Sequence, residues 1–146
     1  MANLVSKEGR ILSVDFGDVR TGLAVSDELR FLASGIGYIS PGGIEKTAIA
    51  VAEEAKTRGV TAIVVGHPLN MNGTEGPRAA RAAEFAELLR ERLDGVEVVL
   101  FDERMTTMAA ARYLNETNSR GKKRKGVIDT LSAQIILQNF LDSLSR

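Results

Sequence analysis

The apolar positions of the chain follow two rhythms, one of short continuous runs and one of stripes at helical spacing. Ile11-Leu-Ser-Val-Asp-Phe16 is a short apolar run set between Gly9 and Gly17-Asp18, the pattern of a buried strand closed by a tight turn. Gly22-Leu-Ala-Val-Ser26 reads as its hairpin partner, and a third strand is expected from Gly35 to Ile39, before Ser40-Pro41-Gly42-Gly43. From Ile44 to Arg58 the rhythm changes: Ile44, Ala48, Val51, Ala52 and Ala55 form the stripe of an amphipathic helix, and Gly59 supplies its stop. Val60 to Val65 returns to a buried strand. Pro77 suits a first helical position, and Ala82, Phe85, Leu89 and Leu93 mark a second buried helical stripe before Gly95. Val96 to Phe101 predicts a fifth strand. A short helix over 107–114 and a long one over 127–144 complete the pattern, separated by a polar, basic loop over 115–126.

Three strands in succession imply an antiparallel meander, whereas the later strand–helix–strand units imply parallel pairing. The expectation is an α/β protein with a mixed five-stranded sheet and helices on both faces, in the element order of the ribonuclease H-like fold. A length of 146 residues without a linker or repeat fits a single domain over 1–146. Cysteine is absent and His67 is the one histidine, which removes thiolate nucleophiles, Cys-based zinc sites and His-rich metal sites. No apolar run approaches the roughly 20 residues of a membrane span, and the first ten residues lack a signal-peptide core, so a cytoplasmic protein with no membrane partner is expected.

Charge changes the picture through its distribution. The 19 Lys and Arg balance the 19 Asp and Glu, which gives no global attraction to a polyanion. Yet Arg120-Gly-Lys-Lys-Arg-Lys125 concentrates five cations, and the rest of the chain is left with 14 bases against 19 acids. Such a run is commonly just a solvated loop. Its place directly before the last helix favours contacts to phosphates, the source of most sequence-independent affinity for nucleic acid.

Three acidic positions stand where the expected fold would bring them together: Asp15 at the end of the first strand, Asp102-Glu103 after the fifth, and Asp129 opening the last helix. Carboxylates are the hard oxygen ligands preferred by Mg2+ and Mn2+. Two such ions roughly 4 Å apart can activate water and stabilise the leaving oxygen of a phosphodiester. Each acid also has a plainer reading: Asp15 as a turn residue, Asp102-Glu103-Arg104 as a solvated loop, and Asp129 as a first-turn residue favoured by the helix dipole. Arg20 lies in the glycine-bounded hairpin Gly17-Asp-Val-Arg-Thr-Gly22, where backbone can approach a phosphate. An Asp-x-Gly hairpin also opens actin-like ATPase domains, but those clasp ATP between two domains and this chain is too short for both. The long loop from Gly66 to Pro77 holds His67 and Glu75, a possible acid/base and a possible extra carboxylate.

Four stretches together resemble the YqgF/RuvX family of pre-16S rRNA nucleases and Holliday junction resolvase-like proteins. They are Val14-Asp-Phe-Gly-Asp-Val-Arg-Thr-Gly-Leu-Ala-Val-Ser-Asp27, Ile63 to Arg78, Phe101-Asp-Glu-Arg-Met-Thr-Thr107 and Lys123 to Leu137, in family order over nearly the whole chain. The resemblance implies a metal-dependent endonuclease with Mg2+ or Mn2+ in a two-metal site, held by Asp15, Glu103 and Asp129. Arg20, Arg104, Lys122, Lys123, Arg124 and Lys125 would contact the nucleic acid. Glu103 is preferred to Asp102, which belongs to the strand end. In related resolvases the fourth strand carries the middle acid; here that strand ends Val65-Gly66-His67 without one. His67 and Ala109 to Ala111 also depart from the family pattern. The expected function is 5′-end processing of precursor 16S rRNA by a monomer or homodimer. The alternatives are a four-way DNA junction resolvase and a non-catalytic RNA-binding ribosome-assembly factor.

Overall fold

The structure, a computed structural model, describes residues 8–105 and 121–144. The opening meander is β1 (Ile11–Asp15), β2 (Thr21–Ser26) and β3 (Ala33–Ile39), followed by α1 (Ile44–Arg58), β4 (Ala62–His67), α2 (Pro77–Arg92) and β5 (Glu97–Asp102). A single 3-10 turn (Glu103–Met105) follows, and α3 (Gly121–Leu144) ends the described chain. The expected helix over 107–114 lies outside the described residues.

The strands form one sheet in the order β3-β2-β1-β4-β5. β1 pairs antiparallel with β2 and parallel with β4, and β4 pairs parallel with β5. Two-residue periodicity assigns the faces. Leu12, Val14, Leu23, Val25, Ile63 and Val65 pack with the buried stripes of α1 and α2, Val51 and Phe85 among them. Ile11, Ala24, Ala62 and Val64 pack instead against Ala133, Ile136, Leu137 and Phe140 of α3. The mixed five-stranded sheet with helices on both faces is thus as expected. β1, β4 and β5 run in parallel, so their carboxyl ends share one edge, the usual place for ligand groups in such sheets.

α3 lies closer to the sheet than side chains would allow, because glycines make room. A Cβ on Gly22 would stand 2.0 Å from the Asp129 carbonyl oxygen, and one on Gly35 would stand 2.6 Å from Thr130 Cγ2. On the helix itself, a Cβ on Gly126 would stand 2.2 Å from the Tyr38 ring. The loop expected over 115–126 is corrected by this packing for its second half. Gly126 is a close-packed residue inside α3 rather than the end of a loop, and Lys and Arg are good helix formers, so Lys122, Lys123, Arg124 and Lys125 lie on the helix backbone.

Two contacts fix the turn between β1 and β2. Phe16 stacks on Phe85 of α2 at 4.7 Å between ring centroids, and the Arg81 guanidinium lies 6.0 Å from the Phe16 ring while reaching Asp18. Spacing along the chain signals neither.

Candidate active site

Asp15 is the last residue of β1, and the β1 alternation directs it to the α3 face. Ile11 packs in the α3 cluster, and two residues on the Ser13 hydroxyl donates to the Ala133 carbonyl at 2.7 Å. Asp15 pairs across to Gly22 on β2, while Val14 pairs with Val65 on β4, one residue before Gly66. Asp15 is therefore flanked on both neighbouring strands by glycine.

Both vacated side-chain positions are filled by parts of the other two candidate acids. The position a Cβ would take on Gly22 is filled by the Asp129 carbonyl. The corresponding position on Gly66 is filled by the Glu103 carboxylate, whose Oε2 would lie 2.3 Å from that Cβ. Glu103 is only 4% exposed. Its place after β5 continues the alternation of Val99 and Phe101, which face α3. The fifth strand thus reaches over and fills the space on the fourth strand, where the sequence has no acid. Gly22 and Gly66 are the site residues that sequence reasoning misses; glycine inside an apolar strand, where close approach of another group is the usual reason, is the available signal.

Asp102 and Glu103 separate cleanly. Asp102 faces outward and accepts from the Arg104 backbone N–H at 2.9 Å and from Arg104 Nε and Nη2 at 3.0 and 2.7 Å. Those bonds, the side-chain ones foremost, hold the Asp102 carboxyl below its ordinary value, and Asp102 in turn raises the Arg104 guanidinium. Arg104 Nη1 also donates to the Met71 carbonyl at 3.4 Å, which braces the loop after β4 against β5. Arg104, expected as a nucleic-acid contact, is here engaged within the protein.

The loop after β4 is ordered by its own polar groups. Asn70 donates its backbone N–H to the Thr74 carbonyl and its side-chain amide to the Thr74 hydroxyl, each at 2.9 Å, and His67 Nε2 meets Glu75 Oε2 at 2.9 Å. His67 and Glu75 therefore engage each other. His67 pairs in register with Asp102, so its alternation places it on the α1/α2 face, opposite the acids.

The sequence reading places Asp129 in the first turn of its helix, stabilised by the dipole. With α3 starting at Gly121 it stands eight residues further on, beyond the first turn in which that effect operates. Its partner is Arg20, whose Nε donates to Asp129 Oδ2 at 2.7 Å, both side chains being about four-fifths buried.

Three carboxylates on one face at one sheet edge, with the Glu103 carboxylate seated over Gly66 and the Asp129 backbone over Gly22, form a hard-oxygen donor set suited to Mg2+ or Mn2+. The glycines fit that use because Gly66 leaves room beside Asp15 for the Glu103 carboxylate and Gly22 lets the α3 backbone at Asp129 come close. Among the described residues no three acids or histidines already stand at metal-holding spacing, and Asp129 is turned to Arg20.

A family model described as RuvX, Holliday junction resolvase, matches residues 9–143. The chain belongs to the RuvX family. This RuvX-family chain is 41% identical over 137 residues to a protein of Ruminiclostridium cellulolyticum named "Putative pre-16S rRNA nuclease", covering 93% of this chain and 96% of that one. A protein of the same name from Bacillus thuringiensis is 45% identical over 140 residues, covering 92% and 98%. Among solved structures, RuvC from T. thermophilus in complex with a Holliday junction substrate superposes with a TM-score of 0.56 at 13% identity, covering 92% of this chain and 94% of that one. That likeness supports the ribonuclease H-like fold of the RuvX-family chain. The family and fold expected from the sequence are borne out, and the nuclease expectation agrees with the names its relatives carry.

Proposed function

We propose that this protein is a divalent-metal-dependent endonuclease that hydrolyses phosphodiester bonds at the 5′ end of precursor 16S rRNA in the cytoplasm. The observation that carries the reading is the placing of Asp15 between Gly22 and Gly66, with Asp129 backbone over one glycine and the Glu103 carboxylate over the other. An inward-turned, buried glutamate beside a strand-end aspartate puts two carboxylates at one sheet edge, the kind of oxygen ligands that a divalent ion takes.

Asp15, Glu103 and Asp129 would hold Mg2+ or Mn2+. Such ions supply a water acidic enough to act as nucleophile at neutral pH and balance the charge of the leaving oxygen. The protein's own part is positional. The β1 and β5 strand ends fix Asp15 and Glu103, and the Gly22 contact fixes the depth at which α3 presents Asp129. Lys122, Lys123, Arg124 and Lys125, in the first turns of the same helix, would hold the sugar–phosphate backbone and bring it to that edge. The names of relatives above 40% identity favour precursor rRNA over branched DNA.

The test is cleavage of a precursor 16S 5′ leader and of a four-way DNA junction, side by side, with Mn2+ and with EDTA. Metal-dependent cutting of the leader and not of the junction is expected, with Asp15→Asn lowering the rate by about a hundredfold or more. Cutting of the junction alone would overturn the substrate in favour of a resolvase. Binding of leader RNA without cutting at any metal concentration would favour an assembly factor and overturn the enzyme.

A further inference from the structure

The pair between Arg20 and Asp129 joins two parts of the protein that are each fixed independently. On the Arg20 side, the turn after β1 folds so tightly that a Cβ on Gly17 would stand 2.3 Å from the Arg20 carbonyl oxygen. The Thr21 hydroxyl closes the same turn onto the Gly17 carbonyl at 3.3 Å, and the stacking of Phe16 on Phe85 ties it to α2. On the other side, the Asp129 backbone is pressed into the space above Gly22. The guanidinium therefore meets the carboxylate at 2.7 Å from a set position, with 21% and 18% of the two side chains exposed, and is not a loose surface pair whose geometry is lost to side-chain freedom.

Its place is what gives it meaning. Asp129, Asp15 and Glu103 share one face and one sheet edge, where like charges raise one another's energy. A cation placed at that edge offsets them. Arg20 does so at Asp129 as the structure stands, and a divalent ion bound by the same acids would do so more completely. A guanidinium and a metal ion cannot both occupy the same carboxylate oxygen at close range.

We propose that Arg20 and a divalent cation compete for the Asp129 carboxylate, which makes Arg20 a positioning residue that holds this acid in the metal-free protein and gives it up when the ion binds. The proposal rests on the reading of Asp129 as a metal ligand. One consequence is that Arg20 becomes available to a substrate phosphate only in the metal-loaded protein, so the ion and the nucleic acid each favour binding of the other.

The experiment is calorimetric titration of the full chain with Mn2+ in the absence of nucleic acid, together with thermal melts in EDTA and in Mn2+. Arg20→Met is expected to bind Mn2+ at least about fivefold more tightly than wild type, in the range of ordinary coupling between sites. Its melting temperature in EDTA should fall and the rise on adding Mn2+ should grow. Should that variant not fold, Arg20→Gln, which keeps donors without the charge, carries the same expectation. In an Asp129→Asn background the gain from Arg20→Met should vanish, since it acts through that carboxylate. Unchanged or weaker Mn2+ binding by a folded Arg20 variant would overturn the competition. So would an equal gain in the Asp129→Asn background, the mark of long-range charge alone. Wild-type Mn2+ binding by Asp129→Asn by itself would instead overturn the metal role of Asp129, and the two failures are thereby told apart.

Discussion

Arg104 decides how the dipeptide Asp102-Glu103 divides its work. By taking Asp102 in a three-donor grip it leaves Glu103 as the acid turned to the α3 face. The pair also has a pH signature. The folded Asp102 carboxyl titrates below its ordinary value, so its contribution to stability is complete above the ordinary carboxylate range and is lost as pH falls through the depressed folded value. Arg104→Met should lower stability slightly at neutral pH, the loss being small because the pair is open to solvent screening, and its difference from wild type should shrink as pH falls through the depressed folded value. Urea midpoints measured from roughly pH 2 to roughly pH 6, a window spanning the ordinary Asp value, would show it. An unaltered acid limb in the variant would contradict the assignment. In the sequence, Glu103 is preferred to Asp102 only because Asp102 belongs to the strand end; the Arg104 side chain that folds back onto Asp102 is encoded by no periodicity.

Close approach between elements is set by glycine. α3 can bring Asp129 beside Asp15 because residue 22 has no side chain, and β5 can bring Glu103 over β4 because residue 66 has none. Gly22→Ala should therefore lift the first half of α3 and cost roughly 1–3 kcal/mol, the range for overpacking a filled interior, with a larger loss of cleavage than of melting temperature. Gly66→Ala should meet Glu103 and the Ile136 methyl, 2.6 Å from the added carbon, and reduce cleavage with the same asymmetry. Differential scanning calorimetry alongside single-turnover cleavage checks both; a variant that melts lower yet cuts at the wild-type rate would contradict the cradle. Element types and order are legible from apolar rhythm, from Ile11 through Leu93. The start of α3 is not, because Gly121 and Gly126 read as loop residues when their neighbours in space are unknown. Once Tyr38 is seen against Gly126, the helix is the economical solution and the dipole explanation for Asp129 gives way to Arg20.

At the scale of the whole molecule the charge is divided between an acidic body and one basic segment, and α3 carries both Lys122 to Lys125 and Asp129. The proposed function joins them: the segment holds phosphates and the sheet edge acts on one of them. Replacing Lys122, Lys123, Arg124 and Lys125 with Ser should weaken leader-RNA binding uniformly across sequences. It should also flatten the slope of log affinity against log salt by about 0.7 for each single-strand phosphate that is no longer neutralised. Fluorescence anisotropy over a salt series measures this, and an unchanged slope would remove the segment from the interface. No helix among the described residues is long and apolar enough to cross a membrane. The claim that ties these scales together is that the buried acid after β5, and not its outward neighbour, completes the centre begun by Asp15. The rate of Mn2+-dependent cleavage of a precursor 16S 5′ leader by Glu103→Gln, run beside Asp102→Asn, tests it most directly. Glu103→Gln should be inactive and Asp102→Asn should retain cleavage; an active Glu103→Gln beside an inactive Asp102→Asn would overturn that assignment.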